Sequence, residues 1–253
     1  MISDWLKAQE DPDWEIFGPA GESFQTGIRN GANTMLPRVP AVFEKRVKFK
    51  KYDLDDFDPW RKASRSVEEI LVQFRQQMQE ETDLGRMQVW GVDAAKAEWG
   101  PTLRLATVMA LNKEDGSLRI IHDGTHGVHV NPTIKVQDQM RSPGIAEKRR
   151  IMSHIKGRPT VRFGLKGDVQ SAHRLVLVDR RDWGSQSFMA GDTLMVNRVG
   201  TQGIGSAAYW WAREVGGLAR AVLYLTEKQS LWQLVFADDF DWTAEGPFIP
   251  DLI

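Results

Sequence analysis

The sequence predicts an α+β fold in which antiparallel hairpins pack against helices. Three observations predict it. Helical and strand-like runs alternate irregularly, without a steady strand–helix rhythm. Two pairs of strand-like runs are joined by short turns, at Asn112-Lys-Glu-Asp-Gly116 and at Asp238-Asp239, as hairpins require. A chain of 253 residues that is 42% hydrophobic can bury a substantial core, in one large domain or two small ones.

Residues 1–60 are rich in Pro, Gly and acidic residues and lack periodicity, so they read as an irregular, partly ordered N-terminal extension. Ser66 and Glu69 have the spacing of a capping box. Val67, Ile70, Leu71, Phe74 and Met78 follow at helical intervals, and Gly85 lies just past the end. A shorter helix is expected over Val92–Trp99, then strands over 104–111 and 117–122. Residues 145–156 read as a basic helix, and 160–166 as a strand leading into Asp168. Short strands are expected over 174–178, 185–189 and 193–197. Residues 206–225 form a long helix, apolar on most faces, with Gly216-Gly217 as its weak point. Trp210 and Trp211 within it read as core rather than as stacking platforms for single strands. Residues 231–237 and 240–243 close a hairpin with the two aspartates at its turn.

The chain has no cysteine, which excludes disulfide scaffolds, thiolate zinc sites and cysteine nucleophiles. The N-terminus lacks a basic segment followed by an apolar one, and no apolar run approaches the roughly 20 residues that span a bilayer. An intracellular protein with no membrane partner is expected. Net charge is −1, but the charges are segregated. Between Gly144 and Lys166 there are seven Lys or Arg residues against the single Glu147, and a second basic run is Lys45-Arg46-Val-Lys48-Phe-Lys50-Lys51. The last sixteen residues hold five acids and no Lys or Arg. Either run alone suits a solvated surface; together they suit cations along a phosphate backbone and acids at metal ions.

Asp168 and the pair Asp238-Asp239 end two apolar runs. Brought together by folding, they would form hard oxygen ligands for Mg²⁺, with Mn²⁺ as an alternative, in the two-ion arrangement that acts on phosphate. An Asp-Asp pair alone is a weak signal, because many surface turns carry one. Lys113 and Arg119 flank the first hairpin turn and could reach one triphosphate, although surface hairpins often carry such cations. Gly200-Thr-Gln-Gly-Ile-Gly-Ser206 opens the long helix and could line a nucleotide pocket, or simply start the helix. His122, His126 and His129 have metal-like spacing, but no fourth ligand accompanies them and they read as loop residues.

The order Lys113, Asp-Gly, Arg119, Asp123, Asn131, then Asp168-Val-Gln-Ser-Ala-His-Arg174, then Gln202-Gly-Ile-Gly-Ser-Ala-Ala208, then Phe236-Ala-Asp-Asp239 resembles the fingers and palm of a reverse transcriptase of retrotransposon or retroviral type. The resemblance covers roughly residues 66–243. The run from His122 to Asn131, with Ala207-Ala-Tyr-Trp-Trp211, also resembles retroelement polymerases of dinoflagellate genomes. The resemblance implies a right-hand polymerase layout: an extension over 1–60, a fingers-like region with the basic helix over 61–159, and a palm over 160–253. It implies an RNA-directed DNA polymerase that takes dNTPs and an RNA or DNA template with a primer. Asp168 and Asp238 would be the main metal ligands, with Asp239 assisting and the Val169 carbonyl completing a shell. Lys113 and Arg119 would hold the triphosphate, and Gln202 and Gly203 would line the nucleotide pocket. Lys148, Arg149 and Arg150 would face the nucleic-acid backbone.

There are departures. His173 stands where the family usually has Phe or Tyr excluding the ribose 2′-hydroxyl, which opens the choice between dNTP and rNTP. Phe236 replaces the usual Tyr, and Ala207-Ala208 replaces a small residue followed by Pro. The chain ends fourteen residues after Asp239, so no thumb is expected. That leaves a second reading, an inactive thumbless relic that still binds nucleic acid. A third, an RNA-dependent RNA polymerase, is weakened by Ala237 where those enzymes usually carry Gly.

Overall fold

The computed structural model describes residues 1–38, 55–114, 116–138, 141–158, 160–227 and 231–246. The basic run 45–51, Asp115 of the first hairpin turn and the last seven residues lie outside them.

Helix α1 (Ile2–Ala8) and a 3₁₀ turn at Trp14–Phe17 are followed by α2 (Arg65–Glu68), α3 (Leu71–Asp83), β1 (Met87–Trp90) and α4 (Val92–Trp99). Next come β2 (Thr107–Asn112), β3 (Leu118–Asp123), α5 (Val130–Thr133), α6 (Ile145–Ile155), β4 (Arg162–Asp168) and α7 (Arg180–Trp183). The order ends with β5 (Ser187–Ala190), β6 (Thr193–Asn197), α8 (Ala207–Leu225), β7 (Leu231–Phe236) and β8 (Asp239–Glu245). Among the described residues, three small antiparallel sheets result, in the orders β1-β6-β5, β2-β3 and β4-β8-β7. The α+β class read from the sequence is the one observed.

One core surrounds α8, where Trp210, Trp211 and Val215 meet Leu6, Phe17, Ile28 and Leu36. The N-terminal segment, although mostly irregular, is therefore a wall of this core. Ion pairs tie it to α8: Arg213 grips Asp13 and Arg220 grips Asp11, each through two N–H donors. A second core lies between α3, the β2-β3 hairpin and β5-β6, centred on Phe74, Val108 and Phe188. A third gathers Trp99, Leu103 and Leu105 against Leu194 and Val196.

Four local expectations are corrected. The capping box at Ser66 does not form: α2 starts after Ser64, and the helix breaks at Ile70 (φ −125°) before α3 begins. The Ser66 hydroxyl is instead shared with Ser64 and faces the Ala110 N–H of β2. The strand expected over 174–178 begins as a 3₁₀ turn at Ala172–Leu175, because the Arg174 guanidinium turns inward to Glu81; only Leu177 and Val178 make β-bridges. Gly216-Gly217 is no weak point, and α8 runs through it unbroken. A Cβ on Gly217 would collide with the Phe17 ring, so that glycine admits the N-terminal segment. Finally, the two-residue loop of the last hairpin is Ala237-Asp238, and Asp239 already belongs to β8, opposite Phe236 and Asp168.

Candidate active site

The β4-β8-β7 sheet carries the aspartates. Val235 of β7 and Phe240 of β8, paired across the two strands, pack towards the α8 core and help to set the register. That register ends β4 at Asp168, directly across from Asp239, and the Val169 N–H bonds the Asp238 carbonyl at 3.0 Å. Ala237 takes a left-handed φ of +55°, uncommon for a residue with a Cβ and the kind of local cost that clusters at functional turns. The indole N–H of Trp211 holds its carbonyl at 2.9 Å.

The β2-β3 hairpin carries the cations. Two glutamines of α3 brace it: Gln73 donates to the Gly116 carbonyl at 2.9 Å, and Gln77 both donates to the Leu118 carbonyl and accepts its N–H. Lys113 and Arg119 are left exposed on either side of the turn.

Between hairpin and sheet lies a cleft of about 590 Å³. Lys113 and Arg119 line it from one side, Asp168, Val169, His173 and Asp238 from another, and Gln202 closes it. Its floor is apolar, with Met78, Val108, Leu118 and Phe188, and it also holds His122 and the Arg174–Glu81 pair. Seven of the twelve residues singled out from the sequence thus converge on one space, from segments up to 125 residues apart (113 to 238). Gly203 stands behind its wall, pressed so closely against the His122 carbonyl that a Cβ would collide with it.

The other expected residues lie elsewhere. Asp239 lines an adjoining pocket of about 410 Å³ with Lys148 and Lys166. Lys148 is paired with Asp241 at 2.5 Å, so one of the three helix cations is engaged within the protein. Arg149 and Arg150 are exposed on α6, which rests on β7 through the His154–Trp232 ring contact. His126 bonds Asp123 at 2.9 Å and His129 bonds Asp56 at 2.6 Å. His122, the third of that trio, faces inward.

Burial governs the cleft histidines. His122 is pushed down to about 4, chiefly by burial and further by Arg174, against the pull of Asp123. Among the described residues, neither of its ring nitrogens has a hydrogen-bond partner. Burial also lowers His173, with the Asp238 carboxylate pulling it upward. Both rings are therefore neutral at pH 7. Burial pushes Asp123 upward, but the amide N–H groups of Thr125 and His126 and the His126 ring outweigh it, leaving a lowered carboxyl.

Among the described residues, no three His, Cys, Asp or Glu side chains surround a common cation position. Asp168 and Asp238, with the Val169 carbonyl beside them, do match the oxygen donors that Mg²⁺ prefers. That ion is commonly held by one or two carboxylates together with substrate phosphates.

Sequence reasoning missed Trp211, Asn131, Arg174 and Gln77 as supports of the site. Their bonds run to backbone or to distant residues, and spacing along the chain carries no signal of that. Among the described residues, no helix is long and apolar enough to cross a membrane.

The sequence matches no protein-family model and no curated protein. Its structure resembles that of a foamy viral protease–reverse transcriptase solved in complex with double-stranded DNA, with a TM-score of 0.51 and 10% identity. The likeness covers 80% of this chain and 30% of that one, so this chain spans about a third of its length. At that identity the likeness concerns the fold alone: the mixed helices and small antiparallel sheets of this chain are compatible, at a coarse level, with the fold of that reverse transcriptase.

Proposed function

We propose that this chain is the fingers-and-palm module of an RNA-directed DNA polymerase. One observation carries the reading: the cations Lys113 and Arg119 and the carboxylates Asp168 and Asp238 face each other across a single cleft, with Gln202 at its edge. Opposed charge of this kind suits a nucleoside triphosphate, whose phosphates need cations at one end and metal-binding oxygens near the reacting phosphorus.

In the proposed reaction a primer 3′-hydroxyl attacks the α-phosphate of a dNTP, a new phosphodiester bond forms, and pyrophosphate leaves. Asp168 and Asp238, with the Val169 carbonyl, would hold Mg²⁺. When bound, that ion supplies charge neutralisation to the triphosphate and activation to the hydroxyl. Lys113 and Arg119 bind and orient the triphosphate. Gln202, backed by Gly203 behind the wall, would limit where the base can sit. His173 lines the cleft with Asp238 and would meet the sugar there, so its ring would set the choice between dNTP and rNTP. The exposed cations Arg149 and Arg150 offer charge to the template–primer backbone.

The test is primer extension by the purified chain on an RNA template with Mg²⁺ and dNTPs, beside an rNTP reaction and an Asp238→Asn control. Extension that the substitution abolishes supports the reading. Tight template–primer binding without extension would replace it with a nucleic-acid-binding relic of the same fold.

A further inference from the structure

The cleft wall at Gln202 belongs to a glycine-rich loop in which Ile204 is buried against Ala106, Val128 and Val130, while Gln202, Gly203 and Gly205 are exposed. Gly203 has φ +108°, a conformation open to glycine, and its neighbour Gly205 is also exposed. A segment of that kind is expensive to hold in one shape. Ile204 anchors its middle, and Asn131 holds the exposed backbone on either side. The Asn131 Nδ2 donates to the Gly203 carbonyl at 2.7 Å and to Thr125 Oγ1 at 2.9 Å, while its Oδ1 accepts the Gly205 N–H at 2.7 Å. Both amide hydrogens and the carbonyl oxygen are used, which no other side chain of that length can reproduce.

The anchor is itself anchored. The Asn131 N–H bonds the Gly124 carbonyl at 2.8 Å, and Asp123 Oδ1 accepts the N–H groups of Thr125 and His126, fixing the turn that presents the Thr125 hydroxyl. From the other side, the His122 N–H meets the Gln202 carbonyl at 3.3 Å. The loop is thus gripped between the end of β3 and the start of α5.

We propose that Asn131 is a positioning residue for nucleotide selection. By fixing the Gly203–Gly205 backbone it holds Gln202 in one pose at the cleft edge, so that the incoming nucleotide meets a preformed wall. This rests on the polymerase reading of the cleft, and Asn131 acts through the loop without touching the nucleotide.

The experiment compares the full chain with Asn131→Ala, Asn131→Asp and, as control, Thr133→Ala. Thr133 lies on the same short helix but its hydroxyl bonds Asn33 and Val130, away from the loop. Two quantities are read: single-nucleotide incorporation on a primer–template over a range of dNTP concentration, and amide hydrogen exchange at residues 203–205 in the free protein. Both Asn131 variants should raise KM for the nucleotide on the order of tenfold with kcat within about twofold, and speed exchange of the Gly205 amide on the order of tenfold. Asn131→Asp is nearly isosteric but sets a carboxylate against the Gly203 carbonyl, so its failure to rescue KM separates bonding from packing. Thr133→Ala should leave both readouts unchanged. Unchanged KM and exchange in Asn131→Ala, or equal kcat losses in it and the control, would overturn the proposal. If the parent chain extends no primer, the polymerase reading fails by itself. Exchange then decides the clamp, and parent-like rates in Asn131→Ala would reject it.

Discussion

The indole Nε1 of Trp211 donates to the carbonyl oxygen of Ala237 at 2.9 Å, tying the buried helix α8 to the turn that carries Asp238. Ala237 is held at φ +55°, where a β-carbon is strained, so the turn needs an outside support to stay in that shape. Trp211 is 2% exposed and belongs to the main core, which makes that support rigid. Trp211→Phe keeps an aromatic ring but removes the donor. It is expected to cost about 1–2 kcal/mol in denaturant unfolding and to slow primer extension more than that destabilisation alone accounts for. Equal activity per folded molecule would show that the bond serves stability only.

The two adjacent aspartates should not be equivalent. Asp238 lines the cleft with Asp168, whereas Asp239 lines the pocket beside Lys148 and Lys166. Asp168→Asn or Asp238→Asn should abolish extension with little change in melting temperature, since both side chains are exposed. Asp239→Asn should retain measurable activity. Identical loss in all three variants would place Asp239 at the reacting phosphate.

Lys113 and Arg119 should act on binding rather than on folding. Both are exposed, and the hairpin beneath them is fixed by Gln73 and Gln77. Lys113→Ala and Arg119→Ala should each raise nucleotide KM on the order of tenfold or more without shifting the unfolding midpoint. Arg119→Lys should recover little, because one ammonium cannot reproduce a two-donor grip. Gln77→Ala, by contrast, should lower stability and KM-defined affinity together.

His122 should make the fold acid-sensitive. Its folded value of about 4 lies below the ordinary 6.5, chiefly through burial, with Asp123 and Arg174 as the charged groups facing it. Between those two values the unfolded chain binds the proton and the folded chain does not, so stability is full above pH 6.5 and falls as pH drops toward 4. The linkage amounts to roughly 2 kcal/mol between pH 7 and pH 5. In His122→Leu that share of the pH dependence should vanish, and stability at pH 7 should be equal or higher because two unpartnered nitrogens are gone. Parallel pH profiles for parent and variant would dismiss the assignment.

Local pattern determined a good deal by itself. Residue spacing at 66–85 and 206–225, turn chemistry at 112–116 and the runs ending at Asp168 and Asp238 were enough to read an α+β class, two hairpins and a cation–carboxylate pairing. These depend on periodicity and on residues close in the chain. Tertiary structure decided the rest, because each remaining choice is a competition between distant partners. Ser66 turned to Ala110 instead of capping a helix, and Arg174 turned to Glu81 instead of extending a strand. Gly217 faced Phe17 from 200 residues away, and so made the N-terminal segment part of the core (17 to 217). Asp239 fell one place into β8 and thereby onto the neighbouring pocket, since strand register follows from which side chains the sheet can bury. Asn131 and Trp211 found their roles in the same way, through bonds to backbone groups that only the folded chain brings within 3 Å.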